Sequence, residues 1–330
     1  MPAPPRRPAP LLDPRAHEAL GRLDLRIVRR MEGLLHGEHL GLRQGPGSEP
    51  AEARRYLPGE DDVRHMDWAV TARTTVPHVR DQVADRELET WTLLDLSPSM
   101  DFGTAGCEKR DVAVGALAAV TVLTQKVGDR FGAYFLHRGR VRRWPARSGR
   151  SALTTLMATV AAAPRGDAEL GGARPAAGRA DLAAAVEELA RSQTRRGLRV
   201  VVSDFLDTPP DGAPVPWERP MRRLAARHQV LAVEVLDPRE LDVPDVGWAE
   251  LADPETGRAR AVKITPAVRE RYRGAARAQR EAVAAALRRT GVPHVVLRTD
   301  RDWVVDMARF VVSQRTTAHR LARHTPARPR

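Results

Sequence analysis

The chain has 330 residues, with 54 lysines and arginines against 42 acidic residues, a net charge of +12 and a pI near 11.0. It is 42% hydrophobic but only 4% aromatic, so it can build one substantial domain with an aliphatic core. The single Cys107 excludes an intrachain disulfide and a thiolate zinc site, no segment approaches the roughly 20 apolar residues of a membrane span, and the proline-broken MPAPPRRPAP lacks the apolar region of a secretory signal.

These features fit a cytoplasmic protein. The basic excess permits attraction to polyanions, but lysine occurs only at 109, 126 and 263. Arginine this dominant beside so much Ala, Gly and Pro reads more as the bias of a GC-rich coding sequence than as a nucleic-acid surface.

In chain order, residues 1–14 are Pro/Arg-rich without apolar periodicity and are expected to be an unstructured tail. Leu20, Leu23, Ile27, Met31 and Leu34 recur at spacings of three and four and predict an amphipathic helix within 15–37. Turn signals at GPGSEP and LPGEDD make 38–89 a segment of short strands and loops packed on the main domain.

From 90 to 315 apolar runs alternate with helical stretches, the pattern of a sheet with crossover helices. Strands are expected at 90–96, 130–136, 198–205, 228–237 and 293–300. Helices are expected at about 108–127, 180–195, 217–227, from Pro266 onward, and at 302–314. Residues 247–264 read as an added hairpin, and 316–330 as a second unstructured basic tail. The arginine cluster RGRVRR at 138–143 has no interleaved aromatics for base stacking and reads as solvated surface.

Four of the expected strands end in aspartate: Asp95, Asp204, Asp237 and Asp300. In an open α/β sheet the carboxyl ends of the strands line one edge, so carboxylates from separate strands can converge there. Asp237 and Asp300 read as cap or turn residues. Asp95 has companions, because DLSPSM puts Ser97 and Ser99 at alternate positions after it. One carboxylate and two hydroxyls on a loop leaving a buried strand suit a hard cation, with Asp204 opposite. The same stretch is also readable as a helix cap or a nucleophile. A nucleophilic serine needs a base within reach, the local sequence offers no histidine, and Gly-x-Ser-x-Gly is absent.

DLSPSM after one strand and VVVSDF at another resemble a von Willebrand factor A domain with its metal-ion-dependent adhesion site. RRYLPGEDDVRHMDWAVTARTTVPHVR (54–80) sharpens this, because the combination resembles the bacterial family called domain of unknown function 58. Its elements here are Tyr56, Pro58, Gly59, Glu60, Asp61, Asp62, Arg64, Asp67, Trp68 and Arg73.

The resemblance implies a von Willebrand A-like, Rossmann-like doubly wound sheet with helices on both faces, and a non-enzymatic binding or assembly role beside a MoxR-type AAA+ ATPase. It also implies metal ligands at Asp95, Ser97, Ser99 and Asp204 for Mg²⁺, or Mn²⁺ or Ca²⁺. A threonine ligand of the family falls at Ala180, a departure that should weaken the site, and Arg179 could put its guanidinium where the cation would be. The segment around Asp61, Asp62, Arg64, Asp67 and Arg73 reads as an ion-paired clasp anchored by a buried Trp68, or else as a docking surface. No catalytic residue is assigned. The rival functions are a metal-dependent hydrolase and a basic nucleic-acid-binding protein.

Overall fold

The computed structural model describes residues 53–56, 66–80, 89–124, 129–165, 181–195, 197–207, 214–252 and 259–324. The expected helix within 15–37 lies outside them.

The first elements are β1 (Ala53–Arg55), α1 (Trp68–Thr74) and β2 (His78–Arg80), with β1 and β2 antiparallel. The main body follows as β3 (Glu89–Asp95), α2 (Lys109–Thr124), β4 (Arg130–His137), β5 (Arg140–Arg147), α3 (Arg150–Ala161), α4 (Leu182–Ser192), β6 (Leu198–Ser203), α5 (Glu218–Arg227) and β7 (Gln229–Leu236). It ends with the hairpin β8 (Trp248–Ala252) and β9 (Ala259–Lys263), then α6 (Pro266–Thr290), β10 (His294–Arg298) and α7 (Trp303–His324).

The central sheet runs β10-β7-β6-β3-β4-β5, all parallel except β5, which is antiparallel to β4. It is the expected α/β architecture, a mostly parallel sheet with helices on both faces. Covering both faces requires strands apolar on both sides, and every residue of β3 is buried.

Alternation along the strands divides the interior in two. Leu94, Phe135, Val202 and Val235 meet α2, α3 and α7, while Leu93, Tyr134, Val201 and Ala232 meet α4, α5 and α6. Each such aliphatic side chain contributes about 1.5–3 kcal/mol by leaving water. One close approach fixes a small residue: Gly115 on α2 lies under the Trp303 ring, where a Cβ would collide.

Helix ends follow their local sequence. Thr265 caps α6 through Val268 N at 3.3 Å with Pro266 at the first helical position, and Gly291 closes it at φ 71°.

The arginines Arg140, Arg142 and Arg143 of RGRVRR are exposed, as expected, and they lie with Arg147 on an edge strand the sequence did not announce, β5, where Trp144 and Ala146 turn inward. Two expectations need correction. The basic stretch from 316 is helical as far as His324, because SQRTTAHRLARH contains no Gly or Pro and an established helix propagates through it. Between β1 and β2 the chain forms a seven-residue helix as well as strands. The hairpin at 247–264 is present as β8 and β9.

A candidate cation site at the carboxyl edge of the sheet

β3 and β6 are hydrogen-bonded parallel neighbours, with Leu94 opposite Val202. From β3 the sheet continues through β4 to one edge, and from β6 through β7 to the other. The crevice where strand order reverses therefore opens between them. Asp95 ends β3 and Asp204 follows β6, so both carboxylates sit at this point, at 4% and 2% exposure.

The backbone turns sharply after each. Ser97 starts a 3-10 turn, Pro98–Asp101, but makes no side-chain cap bond there, so the cap reading does not consume its hydroxyl. Phe205 takes a left-handed conformation at φ 53°, a cost of about 1–2 kcal/mol for a bulky residue. Its ring is held edge-on to Trp217 at 5.1 Å.

Asp95 Oδ1 accepts from Ser97 N at 2.9 Å, and Oδ2 accepts from the Ser203 hydroxyl at 2.7 Å. The Ser97 and Ser99 hydroxyls are 3.1 Å apart, and Ser99 also bonds Asp204. Asp204 Oδ1 accepts from Leu206 N at 3.2 Å, and Oδ2 accepts from Lys109 Nζ at 2.8 Å. Lys109, the first residue of α2, is fully buried and also donates to Glu240.

These partners drive the two aspartates apart. Burial, then the neighbouring Asp204 charge, pushes Asp95 up to about 7, against the opposing bonds from Ser203 and Ser97. Burial acts the same way on Asp204, but the Lys109 ammonium and the bonds from Ser99 and Leu206 outweigh it and hold Asp204 below the ordinary carboxylate value. Burial pushes Lys109 down, and Asp204 and Glu240 more than offset it.

The donor set fits a small hard cation in part. Among the described residues no three His, Cys, Asp or Glu side chains gather as a metal cluster, so hydroxyls would have to contribute. Adjacent oxygens of an octahedral Mg²⁺ lie about 3 Å apart, which the Ser97–Ser99 pair meets, and among the described residues no basic side chain pairs with Asp95. Asp204 is different, because its Oδ2 is already engaged by Lys109.

Asp237, expected as a cap, is one. Following β7, it caps the turn Pro238–Glu240 through Arg239 N, while Glu240 accepts from Asp237 N at 2.9 Å. Its carboxylate also accepts from Thr104 N and Oγ1 at 2.8 and 2.5 Å and from Thr299 Oγ1 at 2.7 Å. Asp300 forms a two-point pair with Arg298, 2.8 Å at each contact.

His137 stands at this edge but its ring engages the Pro164 carbonyl, and His228 precedes β7, at the opposite edge, so neither serves Ser97 or Ser99 as a base. Lys109 and Glu240 are the site residues that sequence reasoning missed. The available signal was compositional: a lysine retained in an arginine-rich chain marks a place where a compact ammonium fits and a planar guanidinium does not.

The expected clasp is only partly within view, since Asp61, Asp62, Arg64 and Ala180 lie outside the described residues. Tyr56 is half-buried, and its N–H donates to Pro77 O at 2.9 Å. Asp67 is the buried member, capping α1 by accepting from Ala69 N and Val70 N, each at 3.1 Å. Trp68 is not the buried anchor expected. It is 67% exposed, because it opens a helix that buries none of its residues. Arg73 is exposed and donates to Ala69 O at 3.2 Å.

Residues 52–282 match the family described as "Protein of unknown function DUF58". The chain belongs to that family. It is 51% identical over 306 residues to the uncharacterized protein Rv1480 of Mycobacterium tuberculosis, covering 93% of this chain and 92% of that one. It is 46% identical over 176 residues to an uncharacterized protein of Mycobacterium avium, covering 53% of this chain and 96% of that one.

Among solved structures, this DUF58 chain is similar to the conserved hypothetical protein BatB from Bacteroides thetaiotaomicron, at 13% identity and a TM-score of 0.42, over 69% of this chain and 99% of that one. A von Willebrand factor type A structure from Catenulispora acidiphila matches at 11% identity and a TM-score of 0.35, over 72% and 43% of the two chains. Likeness at this level is too loose to transfer a site. No helix of the described residues is long and apolar enough to cross a membrane.

Proposed function

We propose that this DUF58 protein is a non-enzymatic binding factor that docks a partner at the carboxyl edge of its sheet, through the pocket of Asp95, Ser97, Ser99 and Asp204. The observation carrying this reading is that two carboxylates and two hydroxyls from different loops meet at the strand-order reversal, where open α/β sheets bind their ligands. A divalent cation, Mg²⁺ or the similar Mn²⁺ or Ca²⁺, would be held by Ser97, Ser99 and Asp95. When bound it would supply a positive centre for an acidic side chain of the partner. Asp95 would balance the ion's charge, and the Ser97 backbone N–H would fix the carboxylate's orientation.

The partner is a MoxR-type AAA+ ATPase, on the strength of the family resemblance carried by DLSPSM, VVVSDF and the 54–80 segment. A hydrolase reading finds less support, since His137 is committed to Pro164 and His228 lies at the far edge.

Pull-down against the ATPase of the same cell tests the proposal. Asp95→Ala combined with Ser97→Ala and Ser99→Ala should cut recovery at least about tenfold if these groups hold the bridging ion. Equal recovery of wild type and variant, with unchanged melting curves, would overturn it.

A further inference from the structure

We infer that Lys109 is a built-in counter-cation of this pocket, placed so that the pocket keeps its buried carboxylates together without a divalent ion and holds such an ion only weakly. The inference rests on the reading of the pocket as a cation site and concerns a residue that neither the family match nor the sequence motif assigns.

Asp95, Asp204 and Glu240 are carboxylates from three neighbouring strand ends, Asp95 the last residue of β3, Asp204 just after β6 and Glu240 in the turn after β7. Lys109 is the basic side chain that reaches two of them, donating to Asp204 and Glu240 from a fully buried position. Its backbone is fixed as well, Lys109 N donating to Phe102 O at 2.9 Å. Glu240 is locked in turn by Asp237 N, and Asp237 by Thr104 and Thr299. The ammonium therefore joins a hydrogen-bonded chain that ties the loop before α2 to the ends of β6, β7 and β10.

Two consequences follow for an ion. Lys109 donates to Oδ2 of Asp204, so of these three carboxylates Asp95 alone is left to a cation seated at Ser97 and Ser99 without an ammonium partner among the described residues. A fixed positive charge beside the seat also repels a second one. The sequence anticipates a basic side chain in the cation's place at Arg179, which lies outside the described residues; within them, Lys109 stands against Asp204.

Full-length protein, wild type and Lys109→Met, is titrated with Mn²⁺ by calorimetry and by electron paramagnetic resonance. Removing one fixed charge and freeing Asp204 should tighten Mn²⁺ binding at least about tenfold, and Mg²⁺ should raise the melting temperature of the variant more than that of wild type. Equal affinity in the two proteins, an absence of binding in both, or weaker binding by the variant would overturn the inference. Should Lys109→Met fail to fold, Lys109→Met/Glu240→Gln removes both members of a pair. The same gain in Mn²⁺ affinity is then expected, and its absence overturns the inference equally.

Docking and ion occupancy separate cleanly. Unchanged recovery of the ATPase by the Asp95/Ser97/Ser99 variant, together with a gain of Mn²⁺ affinity in Lys109→Met, defeats the docking reading alone. Lost recovery in the Asp95/Ser97/Ser99 variant with no gain in Lys109→Met defeats the Lys109 inference alone.

Discussion

Two aspartates stand at the same edge of the same sheet, and their surroundings give them opposite uses. Asp237, after β7, accepts from Arg239 N, Thr104 N, Thr104 Oγ1 and Thr299 Oγ1. Asp95, at the end of β3, accepts from Ser97 and Ser203 while a second buried carboxylate stands nearby. Both are buried. A buried carboxylate whose lone pairs are all taken is a tie between loops, whereas one that stands beside a like charge keeps a use for a cation or a proton.

The contrast can be broken most sharply from the saturated side. Asp237→Ala orphans four donors, two of them backbone N–H groups, and should cost about 3–4 kcal/mol, read from urea unfolding at neutral pH. Burial pushes the Asp237 carboxyl up, but its hydrogen bonds more than offset this and leave it below its ordinary value. A depressed folded-state value gives stability that is present above the unfolded-state value and lost as pH falls through the folded one. The gap between wild type and Asp237→Ala should therefore be full above about pH 4 and shrink in more acidic solution; a gap independent of pH would contradict the saturated-carboxylate account.

On the unsaturated side, Asp95→Asn removes a charge that burial and Asp204 disfavour, and one of its donor contacts must reverse. With chelator present and at pH 8, the net change in stability should stay within about 1 kcal/mol of wild type, of either sign. A loss as large as that of Asp237→Ala would mean that Asp95 is structural too. The smallest effect is expected well away from this edge: Trp68→Ala, at an exposed position, should alter stability by no more than about 0.5 kcal/mol in the same urea experiment.

The sequence displayed most of the scaffold because the two-faced sheet demands uninterrupted apolar strands. TWTLLDL, RVVVS and VLAVEVL are of that kind, and each expected strand appears within a few residues of its place. β5 was hidden because its outward positions are arginines and its register shifts opposite Phe131–Ala133, which disguises the period of two. α3 was hidden in a short alanine- and threonine-rich stretch with a modest apolar stripe. At the site, Asp95, Ser97, Ser99 and Asp204 were legible because one motif and one strand end carry them. Lys109 and Glu240 were not, because their roles depend on contacts 95 and 131 residues distant in sequence, and a lysine opening a helix ordinarily points to water.

The outer strand β5 has a colloidal consequence. An exposed edge is a template on which another chain's strand can pair, and this one is studded with Arg140, Arg142, Arg143 and Arg147, with Pro145 interrupting the run of backbone donors. Two copies approaching along this border would bring like charges face to face over a broken hydrogen-bond ladder. Arginines that look like compositional surplus in the sequence would thus disfavour sheet-to-sheet pairing along this strand.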